Sequence, residues 1–179
     1  AQVGTVLGGC LEHPWVFELQ QRFCSSDYQG LKTTFAPWLA GRRAVLDVGC
    51  GTGACAAALI DFESVEYLGV DLRPRYIDYA RRQYPKGQFL CVDVGRDALP
   101  KQAFDAVFMF SILHHLSDAE SSRLIGHLRG LLGPRGVILA AEPLFPDIGR
   151  HSGAARARAL ASHALLRMDR GEYIRDRDG

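Results

Sequence analysis

Val45-Leu46-Asp47-Val48-Gly49-Cys50-Gly51-Thr52-Gly53 is the stretch that decides the fold of this 179-residue chain. A short apolar run carrying one acid gives way to glycines at alternate positions, and Ala54, Ala56, Ala57, Ala58, Leu59 and Ile60 then offer a helix. This reads as a strand, a tight turn and a helix. Glycine permits the sharp reversal and lets a ligand lie against bare backbone, while the first N–H groups of the helix point at whatever is seated there.

Outward from this unit the same alternation repeats. Ala44 to Val48 lacks polar alternation, as a strand buried on both faces does. Glu66 to Asp71, Gln88 to Asp93, Phe104 to Phe110 and Gly136 to Glu142 read as further strands. Helices are expected from the glycine turn to about Phe62, from Pro74 to the stop at Pro85, and from Ser117 to Leu132. The last has capping-box spacing at Ser117 and Glu120, an apolar face of Leu124, Ile125, Leu128, Leu131 and Leu132, and a Gly133-Pro134 stop. Before the first strand, Trp15, Val16, Leu19 and Phe23 follow helical spacing behind Pro14, and Leu31, Phe35, Trp38 and Leu39 form a second apolar face ending at Gly41. Tyr28 and Lys32 are read as solvated rim residues. A final helix rich in alanine and arginine is expected over about Gly153 to Met168. Strands separated by helices imply an open parallel sheet with helices on both faces, whose ligands sit beyond the carboxyl ends of the strands. Gly49 to Gly53, Asp71, Asp93 and Ser111 stand at those ends.

The length suits one domain over residues 1–179: N-terminal helices over 1–43, a ligand-binding core over 44–143 and an Arg/Ala-rich helical tail over 144–179. A formal net charge of +1 gives no global attraction to nucleic acid or to a membrane surface. The five cysteines (Cys10, Cys24, Cys50, Cys55, Cys91) include no C-x-x-C pair and read as reduced thiols, and no metal site is expected. No apolar run approaches the roughly 18 residues of a membrane span. The first residues carry no basic segment leading into an apolar one, so a cytoplasmic protein is expected, and a chain opening on Ala1 is read as processed or trimmed.

Gly49-x-Gly51-x-x-Ala54 with Asp71 about 20 residues on also fits a dinucleotide turn with its ribose-binding acid. A nicotinamide-dependent oxidoreductase is therefore an alternative. Asp47 and Asp93 weigh against it: a pyrophosphate on the turn is repelled by Asp47, whereas an ammonium or sulfonium is attracted.

The ordered series Val-Leu-Asp-Val-Gly-Cys-Gly-Thr-Gly (45 to 53), Gly-Val-Asp-Leu (69 to 72), Cys-Val-Asp-Val (91 to 94), Phe-Asp-Ala-Val-Phe-Met-Phe-Ser-Ile-Leu-His-His-Leu (104 to 116) and Leu-Arg-Gly-Leu-Leu-Gly-Pro-Arg-Gly-Val-Ile-Leu (128 to 139) resembles the class I S-adenosylmethionine-dependent methyltransferases. The resemblance covers roughly residues 28 to 143. It implies a Rossmann-like three-layer α/β sandwich and S-adenosylmethionine as cofactor. It also implies roles: Gly49, Gly51 and Gly53 under the methionine part, Asp47 near its ammonium directly or through water, and Asp71 on the ribose hydroxyls. Asp93 and the Val94 N–H would meet the adenine, Leu72 would pack on its face, and the Ser111 carbonyl would take the ammonium. Similar methyltransferases continue with an antiparallel pair of strands. Nothing after Gly171 reads as that pair, so five parallel strands are expected here.

Methyl transfer from a sulfonium needs in-line approach and a dry pocket, and a base only where the acceptor must lose a proton. His114 or His115 could take that proton, but the resemblance gives this loop no fixed catalytic role, and no catalytic residue is assigned. The arginines of the tail (Arg150, Arg156, Arg158, Arg167, Arg170, Arg175, Arg177) lack interleaved aromatics and read as a solvated face, so a small-molecule acceptor is expected rather than nucleic acid. The other alternative is a non-catalytic domain that binds S-adenosylmethionine.

Overall fold

A computed structural model describes residues 13–16, 18–19, 28–97, 99, 103–142 and 153. Five strands, β1 (Ala44–Val48), β2 (Glu66–Asp71), β3 (Gln88–Cys91), β4 (Phe104–Phe110) and β5 (Leu132–Ala141), form one sheet in the order β3-β2-β1-β4-β5. Every pairing in it is parallel. Helix α1 (Tyr28–Leu39) precedes β1, α2 (Ala54–Leu59) joins β1 to β2, α3 (Pro74–Gln83) joins β2 to β3 and α4 (Asp118–Gly130) joins β4 to β5, with a 3-10 turn, Leu113–His115, after β4. The strand order reverses at β1, which opens a crevice at its carboxyl end.

Alternation along the strands sends side chains to two cores. Val45, Tyr67, Phe89, Ala106 and Phe108 face one side, where Leu31, Phe35 and Leu39 of α1, Ala56 of α2, and Ile77 and Ala80 of α3 cover them. Leu46, Val48, Leu68, Val70, Val107 and Met109 face the other, against Leu124, Ile125 and Leu128 of α4. Each large apolar side chain fully removed from water in these layers contributes about 1.5–3 kcal/mol. This is the expected three-layer arrangement with helices on both faces.

The amino-end edge of the sheet is tied by Arg42 and Asp105. Asp105 Oδ2 accepts the N–H groups of Arg43 (2.8 Å) and Ala44 (3.1 Å), and these bonds hold its carboxyl below the usual range. The Arg42 guanidinium donates to the carbonyls of Trp38 (3.0 Å), Asp105 (3.0 Å) and Arg135 (2.6 Å). The starts of β1, β4 and β5 are thus cross-linked without any contribution from the opposite edge.

The capping box holds: Ser117 and Glu120 satisfy each other's backbone N–H groups at the start of α4. Several boundaries differ. Helix α2 ends at Leu59 rather than about Phe62, and β3 ends at Cys91, because Asp93 enters a turn closed by the side chain of Asp97. Helix α4 ends at Gly130, and Gly133-Pro134 lies within β5 rather than before it. There β5 takes a bulge, since the register passes from Phe104↔Leu132 to Ala106↔Val137. Trp38 is 55% exposed and leaves Leu31, Phe35 and Leu39 to carry the buried face of α1; Trp15 and Leu19 are also exposed rather than core. Phe23, the arginine-rich tail and any strands beyond Glu142 lie outside the described residues.

A buried acid sits within this apolar sheet. Asp47 is 2% exposed, and its Cα is partnered by Gly69 on β2 and Phe108 on β4. Tyr67 Oη donates to Asp47 Oδ2 at 2.7 Å. A Cβ on Gly69 would lie 2.9 Å from that hydroxyl and 2.9 Å from Cys50 Sγ, so the bare glycine makes room for both groups beside the acid. Burial pushes the Asp47 carboxyl up to about 7, against the lowering by Tyr67 and with a further upward push from Asp71. The unfolded chain therefore releases this proton at lower pH than the folded one, and folding stability falls as pH rises from about 4 to about 7. Asp47→Asn keeps an acceptor for Tyr67 and abolishes the titration. Urea unfolding should show its stability relative to wild type improving across that window by up to about 4 kcal/mol and flattening above pH 7. A difference that does not vary with pH would show that Asp47 is ionised throughout.

Candidate functional site

The glycine turn is shaped by three left-handed residues, Gly49 (φ +68°), Gly51 (φ +55°) and Gly53 (φ +80°), a region side chains disfavour. The N–H groups of Gly49 and Cys50 both donate to the Val70 carbonyl, at 2.7 and 3.0 Å, which stitches the turn to the end of β2. On the other side, a Cβ at Gly49 would stand 2.6 Å from Ile112 Cδ1, so the loop after β4 packs against the turn. The carboxyl ends of β2, β1 and β4 are thereby drawn together.

Asp71 is the organised acceptor of this edge. Its Oδ2 takes the Gly51 N–H at 2.9 Å and its Oδ1 takes the Arg73 N–H at 2.8 Å. A carboxylate oxygen has two lone-pair directions, so each oxygen keeps one for a ligand, and the fixed carboxylate plane suits two neighbouring hydroxyls. Beside it Leu72 is 66% exposed, an apolar face suited to a flat ring. The Val92 N–H bonds to the Asp71 carbonyl at 3.2 Å and brings the end of β3 alongside.

The remaining expected residues divide. Asp47 lies beneath the turn with Tyr67 rather than presenting an open carboxylate, so its influence on a ligand is through the field or a bridging group. Asp93 has one oxygen on the Gly95 N–H (2.9 Å) and the other 3.5 Å from Arg96 Nε, so its carboxylate is already engaged in its own turn. Val94 is buried in the core on the α4 side. Ser111 has φ +57°, the one non-glycine with positive φ among the described residues, and its N–H donates to the Ala141 carbonyl at 2.8 Å. That conformation costs on the order of 1–2 kcal/mol and redirects the chain at the end of β4.

Two residues absent from the sequence reading also shape this edge. Tyr67 is one; its signal was the aromatic two positions before a strand glycine, which marks close approach across the sheet. Glu142 is the other, an acid directly after β5 at the carboxyl edge of the sheet. Its Oε1 accepts the N–H groups of Ile112 (3.0 Å) and Leu113 (2.9 Å), and its Oε2 lies 2.6 Å from His114 Nδ1. Burial pushes the Glu142 carboxyl up, but the bonds from His114, Leu113 and Ile112 outweigh it and hold the group below its ordinary range.

The nearby Arg73 guanidinium is held by Tyr76, through a 2.9 Å bond to its hydroxyl and over its ring at 5.1 Å. Burial raises Cys55 to about 12 and Cys50 well above its usual range, so neither thiol is ionised at neutral pH. The arrangement, an acid under the turn, a two-oxygen acceptor on β2 and an exposed apolar side chain beside it, fits a cationic nucleoside better than a pyrophosphate.

Comparison with known proteins agrees. The sequence model of the family described as "Methyltransferase domain" matches residues 45–136. An uncharacterized methyltransferase of Mycobacterium tuberculosis is 28% identical over 141 residues, 77% of this chain and 65% of the relative. The trans-aconitate 2-methyltransferase of Methylobacterium radiotolerans is 31% identical over 102 residues, 56% of this chain and 38% of that enzyme. An amino pentose methyltransferase from Micromonospora echinaspora, solved with S-adenosylmethionine bound, superposes with a TM-score of 0.61 at 24% identity, over 74% of this chain and 58% of that one. The chain thus spans just under two thirds of its mycobacterial relative and less of the others. With the family match running from β1 into β5 and the five parallel strands in the order β3-β2-β1-β4-β5, the chain belongs to the class I S-adenosylmethionine-dependent methyltransferase family.

Proposed function

We propose that this chain binds S-adenosylmethionine at the carboxyl ends of β1, β2 and β4 and serves methyl transfer to a small-molecule acceptor. The observation that carries the reading is the Asp71 carboxylate, fixed by the Gly51 and Arg73 N–H groups with one lone pair of each oxygen left for a ribose diol. When bound, the cofactor supplies a methyl group already activated on a sulfonium. The protein's share is placement. Gly49, Gly51 and Gly53 give a surface of backbone for the methionine part, Leu72 an apolar platform for the adenine, and the Ser111 carbonyl an acceptor for the ammonium. Val94 and Asp93 close the adenine end, Asp93 after exchanging its Gly95 or Arg96 contact. Asp47 acts from below: a cation on the turn favours its ionised form, so binding releases a proton near neutral pH.

Acceptors of the size handled by the trans-aconitate and amino pentose enzymes suit this reading, as does a cytoplasmic location. Among the described residues no helix is long and apolar enough to cross a membrane. The nicotinamide reading is not favoured, because an acid, Asp47, lies under the turn where a pyrophosphate would sit.

Calorimetry separates the readings. S-adenosylhomocysteine should bind and NADH should not; the reverse result overturns the assignment. Asp71→Ala removes both ribose contacts and should weaken S-adenosylhomocysteine about a hundredfold or more, at about 1.5–3 kcal/mol for each hydrogen bond to a charged group. Gly49→Ala should also abolish measurable binding, since its Cβ meets Ile112 and its φ is left-handed. Retained affinity in either variant would place the ligand elsewhere.

A further inference from the structure

We propose that His114 is the catalytic base of the transfer, held by Glu142 as a positioning residue, and that the acceptor is a hydroxyl or protonated amine that must lose a proton. This rests on the cofactor reading above. His114 and His115 are adjacent in sequence, with rings 4.0 Å apart, and His114 has a carboxylate partner, Glu142 Oε2 at 2.6 Å from Nδ1. Glu142 is ionised and therefore accepts only, so Nδ1 carries the hydrogen of this contact and Nε2 is the ring nitrogen left to take a proton. Nε2 has no partner among the described residues, and the His114 side chain keeps 16% exposure.

The dyad is built from three pieces of the carboxyl edge. His114 lies three residues beyond the left-handed Ser111, and Ile112 covers Gly49 of the turn. Glu142 Oε1 holds the Ile112 and Leu113 N–H groups, so one carboxylate fixes both the loop that carries the imidazole and the tautomer of the imidazole itself. A carboxylate needed only to pin the loop would be satisfied by those two N–H groups. In the step proposed, the acceptor's proton passes to His114 Nε2 and the lone pair left on oxygen or nitrogen forms the new bond to the methyl carbon. The carbon–sulfur bond breaks with its electrons on sulfur, giving S-adenosylhomocysteine, and the imidazolium then returns its proton to solvent. A carboxylate acceptor has no such proton and no use for the dyad.

Two substitutions that preserve the clamp test this. In His114→Asn the amide nitrogen replaces Nδ1 as donor to Glu142 and the base is gone. In Glu142→Gln the amide oxygen still takes the Ile112 and Leu113 N–H groups while the amide nitrogen donates to Nδ1, forcing the hydrogen onto Nε2. Wild type and both variants would be assayed with tritiated-methyl S-adenosylmethionine against catechol, glucosamine and trans-aconitate. Binding of S-adenosylhomocysteine would be measured by calorimetry, and the histidine tautomers by long-range proton–nitrogen NMR. Expected are transfer to catechol or glucosamine, a loss of at least a hundredfold in both variants with affinity within threefold of wild type, and an imidazole hydrogen on Nδ1 in wild type but on Nε2 in Glu142→Gln. Wild-type affinity for S-adenosylhomocysteine with transfer to trans-aconitate only or to none of the three, retained transfer in His114→Asn, or an Nε2-hydrogen in wild type would overturn this inference alone. Failure of wild type to bind S-adenosylhomocysteine would overturn the cofactor reading beneath it.

Discussion

The 2.7 Å hydrogen bond from Tyr67 to Asp47 is the constraint around which the centre of the sheet is arranged. An acid in the middle strand of a parallel sheet costs several kcal/mol if left without a partner, and here it is buried with one donor. To admit the phenol, β2 carries glycine where it passes Asp47, and β2 must pair with β1 in one register only, Asp47 opposite Gly69. A slip by one residue would put a valine or leucine side chain in that space. The same register sets Val48 beside Val70, and so delivers the Val70 carbonyl to the glycine turn and Asp71 to the Gly51 N–H. A buried polar pair thus fixes the geometry of the exposed edge.

The two edges of the sheet are built on different terms. At the amino end, Asp105 and Arg42 make bonds to backbone groups of neighbouring segments, and the left-handed Gly41 ends the helix before β1. At the carboxyl end three left-handed glycines shape the turn, and Ser111 is the one non-glycine with positive φ among the described residues, a conformation that costs on the order of 1–2 kcal/mol. That cost falls on the edge at which we place the ligand.

Much of this was legible in the residues. The strands β1, β2 and β4 are continuous apolar runs with clear ends, and Ser117 with Glu120 announces α4, because these signals depend on neighbours in sequence. What escaped depends on neighbours in space. Asp93 reads as a free strand-end acid, but β3 stops at Cys91 and the carboxylate folds back on Gly95 and Arg96. Gly133-Pro134 reads as a break, yet the bulge against β4 absorbs both residues into β5. The partnership of Tyr67 with Asp47 spans 20 positions and follows from pairing register, which no local pattern encodes.

Glu142 shows why spatial partnership changes what a residue can be said to do. It has the same task as Asp105, a single carboxylate oxygen accepting two consecutive backbone N–H groups from a neighbouring segment. At the amino edge the motif stops there: among the described residues the second oxygen of Asp105 meets no histidine, and its role is to align β1 with β4. At the carboxyl edge the second oxygen meets an imidazole at 2.6 Å, and that contact is polar on one nitrogen only. A fold-stabilising clamp needs no ring with a second nitrogen left unpaired among the described residues, whereas a proton acceptor needs that nitrogen and a partner to keep the hydrogen off it. The asymmetry between two carboxylates with the same backbone task is what separates the edge that holds the sheet together from the edge at which we place the ligand.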